Sequence, residues 1–179
     1  LIEAKATLEE TINEMDQEMT VKFKETFDAV REHYIEIFKK LFGGGTADLV
    51  LTDPHDLLNT GVEIIAQPPG TKLKTSNLLS GGQKALTSIS LLFAILRVRT
   101  VPFCVLDEVE AALDEANVAR YANYLKAFSK ETQFIVITHR KGTMEKADVL
   151  YGVTMQERGV TKLVSVRMEN VSDYMDDEK

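Results

Sequence analysis

The chain has one cysteine, four prolines and no tryptophan in 179 residues. A lone thiol, Cys104, cannot form an internal disulfide. This excludes a disulfide-stapled secreted scaffold and fits a reducing cytoplasm. No apolar run approaches the roughly 20 residues needed to cross a bilayer. The longest one, 85–98, runs into Arg97 and Arg99. No signal-peptide pattern opens the chain. Its first residue is Leu1 rather than Met, so a piece of something longer is expected. A net charge of −7 argues against a wholly basic nucleic-acid surface, although a local patch stays compatible with it. The most informative absence is a phosphate loop. The string of Gly, four residues, Gly-Lys and Ser or Thr occurs nowhere. Gly43, Gly44 and Gly45 are therefore read as a turn. His55 has no second His or Cys at metal-ligand spacing and is read as a surface residue.

What remains is ordinary for a folded domain: 44% hydrophobic and 27% charged residues, in a length that can bury one real core. The chemistry concentrates in residues 76–108, SNLLSGGQKALTSISLLFAILRVRTVPFCVLDE. Ser80 is a good helix N-cap, because its hydroxyl can accept from the free amides of the first turn. Gly81 and Gly82 leave those amides uncovered, so an anion can approach the positive end of the helix dipole. From Ala85 to Val98 nearly every residue is apolar or small, which predicts a buried helix. Phe103, Cys104, Val105 and Leu106 form a short apolar run, as in a central parallel strand. Asp107 and Glu108 follow at its carboxyl end, where open α/β sheets place their ligand sites. Taken singly, the glycines are a flexible cap and the two acids a solvated turn. In this order they make a phosphate-binding helix start feeding a strand that delivers two carboxylates.

Other segments build the frame. Leu1, Leu8, Ile12, Met15 and Met19 fall at alternating three- and four-residue spacing, with Lys5 breaking one position. That spacing suits a coiled-coil seam or an ordinary amphipathic surface helix, and fewer than three heptads do not separate the two. The pattern then shifts to Phe23, Phe27, Val30, Tyr34, Ile37 or Phe38, and Leu41, a stutter that unwinds a supercoil. This aromatic half is expected to pack on a globular body and to stop at the three glycines. Segments 47–53 and 62–67 read as strands, and Pro68-Pro69-Gly70 ends the second. Lys72 and Lys74 fall in a polar loop. A helix is expected from about 115 to 129 on the spacing of Val118, Tyr121, Leu125 and Phe128. A second buried strand, 134–137, ends at Thr138-His139. One crossover helix separates the two apolar strands, so right-handed βαβ winding puts His139 and Glu108 on the same sheet edge. A short helix at 144–148, a hairpin of 149–155 with 160–167, and an acidic tail that can form a frayed helix complete the chain.

Leu79-Ser80-Gly81-Gly82-Gln83 resembles the signature motif of the ABC-type ATPases, and Phe103 to Glu108 resembles their Walker B strand with its following glutamate. Within that superfamily the whole chain resembles the C-terminal half of the ATPase head of prokaryotic SMC proteins, which organise chromosomes. The strings FGGGTADLVLTD, GVEIIAQPPG, LDEVEAALDEANVARY and FIVITHRKGTMEKADVLYGVTM carry the likeness alongside the two motifs.

The resemblance implies an α/β fold: the C-terminal lobe of a split ABC-type head, a P-loop NTPase fold completed by a separate N-terminal half that holds Walker A. Residues 1–42 would be the end of a coiled-coil arm entering the head, and 43–179 the lobe. It implies ATP and Mg²⁺ as cofactors. Asp107 would help hold the metal, Glu108 would be the catalytic base for the attacking water, and His139 the switch histidine at the γ-phosphate. Asp114 would lie in the D-loop across a dimer interface. Ser80, Gly81, Gly82 and Gln83 would contact ATP bound to the opposite head. The partners implied are the N-terminal half, a second head in a homodimer, a kleisin subunit and DNA, in the cytoplasm at the nucleoid. Hydrolysis would serve chromosome condensation and segregation. Alternatives are an SMC-like DNA-repair ATPase, a transporter cassette, and a non-hydrolysing scaffold with the same fold. A transporter cassette would not open with a coiled-coil arm, and a scaffold would tend to lose Glu108 first.

Overall fold

A computed structural model describes residues 2–72, 74–75 and 79–167. The chain forms two compact units, Leu1–Val101 and Pro102–Lys179. The acidic tail expected as a frayed helix lies outside the described residues.

In the first unit, helix α1 (Ile2–Phe42) is followed by strands β1 (Thr46–Leu51), β2 (Val62–Gln67) and β3 (Lys74–Thr75), then helix α2 (Gly81–Val98). The two halves of α1 differ as their residue patterns do. Leu8, Ile12, Met15 and Met19 are exposed, whereas Tyr34, Ile37, Phe38 and Leu41 are buried. The second half packs on α2 and β1, with the Phe38 and Phe42 rings stacked at 4.1 Å between centroids. Each such side chain withdrawn from water contributes roughly 1.5–3 kcal/mol, so packing holds this half where propensity alone would not. The helix stops because Gly43, Gly44 and Gly45 all take positive φ. The Gly44 amide donates to the Lys39 carbonyl at 2.9 Å, the longer bond of a Schellman motif. A Cβ on Gly45 would stand 2.3 Å from the Gln67 carbonyl oxygen, so only glycine fits. Arg31 of α1 forks onto Asp48 of β1, Nε to Oδ1 at 2.5 Å and Nη2 to Oδ2 at 2.7 Å.

Strands β1 and β2 pair antiparallel, with Leu49 opposite Ile64. The segment read as a simple loop around Lys72 and Lys74 holds the two-residue strand β3. It forms because the far edge of β2 is open and Ile65 and Ala66 pair with Thr75 and Lys74. Helix α2 is buried along Leu86, Ile89, Phe93, Ala94 and Leu96, together with Thr87 and Ser90. Ser90 is tolerated there because its hydroxyl donates to the Leu86 carbonyl at 2.8 Å.

The second unit runs β4 (Phe103–Asp107), α3 (Glu115–Phe128), β5 (Gln133–Ile137), α4 (Lys141–Met144), β6 (Val149–Glu157) and β7 (Val160–Arg167). Strands β4 and β5 are parallel, with Val105 opposite Ile135 and Asp107 opposite Ile137. The expectation that these strands are buried holds for one face only. Leu106 is buried and Cys104, Phe134 and Val136 are half-buried. Phe103, Val105, Ile135 and Ile137 on the other face are each about half exposed, at 57%, 54%, 49% and 53%. A parallel sheet of two strands with an open apolar face is an incomplete sheet, since parallel sheets are covered on both sides.

The short helix expected at 144–148 instead occupies Lys141–Met144. The buried Thr143 hydroxyl is anchored by Glu110 at 2.9 Å, which sets the helical turn there. Residues 145–147 continue only as turns. The hairpin is tighter than its pattern suggests. Glu157 pairs with Val160, leaving Arg158-Gly159 as the turn, with a register irregularity after Thr154. Both of its strands are almost wholly exposed.

Candidate functional site

The residues singled out from the sequence fall into two groups, one in each unit. In the first, Ser80 is the N-cap of α2, in extended conformation at φ −65° and ψ 163°. Its hydroxyl oxygen accepts from the Gln83 amide at 3.3 Å, and the Ser80 amide donates to Gln83 Oε1 at 3.2 Å. The first and last residues of Ser-Gly-Gly-Gln are therefore a capping box. That device explains Ser and Gln at this spacing but leaves Gly81 unexplained. A Cβ on Gly81 would meet nothing within 4 Å. No atom of the described chain requires glycine there, and open space at a positive helix end is what a closely approaching anion needs. The Ser80 hydroxyl, having accepted from Gln83, still has its own proton to donate.

The second group sits at the carboxyl ends of β4 and β5. Parallel pairing carries Asp107 to the end of β4 opposite Ile137, and Glu108 and His139 continue from the two strand ends. The Glu108 amide donates to the Ile137 carbonyl at 2.9 Å, one step past the ladder. This holds Glu108 at φ 47°, the left-handed region and the sole positive φ of a non-glycine residue among those described. Such a conformation costs on the order of 1 kcal/mol or more for a side chain of this type, and strain of this kind gathers at functional positions. The strained turn aims the carboxylate at His139, whose Nδ1 lies 3.3 Å from Glu108 Oε1. Both side chains are more than half exposed, at 55% and 63%, so they face solvent rather than being committed to a core.

Asp114 serves as N-cap of α3, where its Oδ1 accepts from the Asn117 amide at 2.9 Å and its Oδ2 from Asn117 Nδ2 at 3.0 Å. Among the described residues no group of three or more His, Cys, Asp or Glu is placed to hold a metal, and His55 is exposed, as its spacing suggests. An isolated carboxylate such as Asp107 suits Mg²⁺, which takes one or two protein carboxylates and completes its shell with water and substrate phosphates.

Three residues that sequence reasoning passed over complete this edge. Glu110, two residues beyond Glu108, is fully buried. Its Oε1 accepts from Thr138 Oγ1 at 2.6 Å as well as from Thr143. Thr138 Oγ1 in turn accepts from the Arg140 amide at 3.0 Å. Arg140 Nη2 donates to the Leu113 carbonyl at 2.7 Å and lies 3.1 Å from Glu115. Nothing local marks Glu110 as buried, because the hydroxyls that satisfy it are 28 and 33 residues further on. Tyr121 of α3 is fully buried, and its phenol pKa is pushed well up by burial and next by the Glu110 charge.

With this geometry in view, residues 3–162 match the family described as the RecF/RecN/SMC N terminal domain. This chain belongs to the SMC family. It is 67% identical over 175 residues to the chromosome partition protein Smc of Bacillus subtilis (strain 168), covering 98% of this chain and 15% of that protein. It therefore spans about a seventh of the length of the relative it matches. Among solved structures it resembles an Smc head domain from Pyrococcus furiosus that carries an extended coiled coil and is bound to the C-terminal domain of ScpA. The TM-score is 0.83 at 43% identity, over 97% of this chain and 43% of that one. A second resemblance is to a chain from a structural study of ATP-driven dimerization and DNA-stimulated activation of SMC ATPases. There the TM-score is 0.78 at 42% identity, over 88% of this chain and 96% of that one. The fold is thus that of part of an SMC ATPase head, an ABC-type α/β fold with a coiled-coil helix. SMC membership also removes the transporter cassette from the alternatives.

Proposed function

We propose that this chain is the C-terminal half of an SMC ATPase head, and that it works in ATP hydrolysis at a composite site formed between two engaged heads. The observation that carries this reading is that Asp107, Glu108 and His139 gather at one edge of a parallel sheet in a chain with no phosphate loop. The water-activating groups are here and the cradle for the nucleotide is not. The matching family is described as an N-terminal domain. The motifs actually written in this chain are those of the signature and Walker B, which is why the C-terminal assignment is preferred.

The open face of β4 and β5 supports the same reading. Phe103, Val105, Ile135 and Ile137 await a cover, and more than half of the Pyrococcus furiosus head chain has no counterpart here. The proposed occupant is the other half of the same head, which would bring Walker A and further strands. The exposed seam of Leu8, Ile12, Met15 and Met19 likewise supports residues 1–42 as the end of a coiled-coil arm, with 43–179 as the lobe.

In this scheme Glu108 is the general base, a role worth typically 10² to 10⁴ in rate. His139 faces the γ-phosphate. Asp107 would hold Mg²⁺, which supplies charge neutralisation at the phosphates. Ser80, Gly81 and Gly82 offer the hydroxyl and amides of a helix start to ATP held by the opposite head, and Asp114 stands at that interface. Phosphoryl transfer is catalysed mostly by positioning and charge stabilisation, so bringing two heads together can itself complete the site. The work served is chromosome condensation and segregation in the cytoplasm, at the nucleoid, with a kleisin subunit and DNA as further partners. The relative's name as a chromosome partition protein favours this process over DNA repair. The net charge of −7 lends DNA binding by this half no support.

The test uses the full-length protein. Glu108→Gln should lower turnover by at least about 100-fold and accumulate ATP-bound head dimers. Ser80→Arg should block dimerisation and leave ATP binding to single heads intact. Equal loss of nucleotide binding in both variants would overturn the arrangement in trans.

A further inference from the structure

Glu108 and His139 come from different loops, are both largely exposed, and are 31 residues apart in sequence. Their 3.3 Å approach has to be maintained by something behind them. The backbone bond from Glu108 to Ile137 fixes the root of one loop only. Two residues beyond Glu108 comes Glu110, a fully buried carboxylate whose Oε2 has no hydrogen-bond partner among the described residues. Burying a carboxylate is costly unless it is satisfied, so its position calls for a reason beyond filling space. Its Oε1 receives the Thr138 hydroxyl at 2.6 Å, and Thr138 is the residue immediately before His139. The same hydroxyl oxygen receives the amide of Arg140, the residue immediately after His139. His139 therefore sits in the middle of the three-residue link 138–140, whose two ends meet at the Thr138 hydroxyl, and that hydroxyl is held by a carboxylate from the loop that carries Glu108.

We propose that Glu110 is a positioning residue for hydrolysis: through Thr138 it sets the placement of His139 against Glu108. This rests on the proposed ATPase reading and extends it to a fully buried residue that acts through Thr138. The distinction from ordinary bracing lies in Thr143. Its hydroxyl donates to the same Oε1 at 2.9 Å and is more deeply buried than that of Thr138, but it stands on α4 rather than beside His139. If Glu110 only braces the fold, the two threonines are equivalent. If it positions His139, they are not.

The experiment measures steady-state ATPase of the full-length protein carrying Thr138→Val, Thr138→Ser, Thr143→Val or Glu108→Gln, with thermal melts of each. Thr138→Val should lower kcat by about tenfold or more with KM for ATP within about twofold, since small misplacements of reacting groups carry penalties of that size. Thr138→Ser, which keeps the hydroxyl, should restore kcat. Thr143→Val should lower Tm while leaving kcat within about twofold of the unsubstituted protein. An equal fall in kcat for Thr138→Val and Thr143→Val, or failure of Thr138→Ser to rescue, would overturn the proposal while the ATPase reading survives. Unchanged hydrolysis in Glu108→Gln would instead sink the ATPase reading, and the proposal with it.

Discussion

The Glu108 amide donates to the carbonyl of Ile137 at 2.9 Å and, in doing so, holds Glu108 at φ 47°. One backbone bond thus extends the β4–β5 ladder by a step and places a strained residue where the chemistry is proposed to occur. A side chain with a Cβ pays for that conformation and glycine does not. Glu108→Gly should therefore be more stable than Glu108→Ala by about 1 kcal/mol, although both lose the carboxylate. Denaturant unfolding of the two variants reads the difference directly. Equal stability would mean that the backbone there is unstrained.

Gly81 offers the complementary case, a glycine that the fold does not need. Its added Cβ would meet nothing within 4 Å among the described residues, and it stands in the first turn of α2 where alanine is a better helix former. Gly81→Ala should leave Tm unchanged or slightly higher, yet reduce ATP-dependent dimerisation and turnover, because the methyl group would cover the amides proposed to meet a phosphate. A variant that lost stability and kept full turnover would assign Gly81 to the fold after all.

Val105 and Ile135 face each other across the β4–β5 ladder, and both are about half exposed. In the chain by itself Val105→Asp should leave the circular dichroism spectrum unchanged. In the assembled head the same carboxylate would be shut into an apolar layer, at a cost of several kcal/mol. Co-purification of the two halves should weaken by about 100-fold or more, the factor that corresponds to about 3 kcal/mol. Undiminished assembly would rule this face out as the junction.

Arg31 and Asp48 join α1 to β1, and the guanidinium, by its hydrogen bonds, is the largest cause holding the Asp48 carboxyl below its ordinary pKa. The Leu49 amide adds to the effect by donating to Oδ1 at 2.8 Å. A depressed folded pKa means stability that is present above the unfolded pKa, near 3.9, and lost as pH falls through the folded value. Both side chains are partly solvated, so the pair is worth no more than about 1 kcal/mol. Asp48→Asn should lower stability by about that amount from pH 5 to 8, and the gap should close in acid as pH falls below the unfolded value and through the lowered folded one. Melts across that range check the sign. A gap that widened in acid would contradict it.

Much of the site was legible in the chain of letters because its pieces are local. Ser80 and Gln83 cap one helix turn, and Asp107 and Glu108 end one apolar run. A single crossover then sufficed to bring His139 alongside. Glu110, Thr138 and Arg140 escaped notice for the opposite reason, since a buried acid is recognisable only from distant hydroxyls that neutralise its isolation. The two-residue strand β3 and the displaced α4 were missed for similar reasons. An open edge on β2 and the Thr143 bond to Glu110, respectively, outweighed local propensity.

The order of residues alone determined the motif chemistry, the change of character along α1 at the stutter, and the lack of a phosphate loop, because spacing and composition are properties of neighbours. Only the folded structure decided that β4 and β5 keep one apolar face uncovered, that Glu108 is strained, and that a buried carboxylate gathers the loop bearing His139. Burial, backbone strain and pairing across tens of residues arise when the chain closes on itself, and no local pattern encodes them.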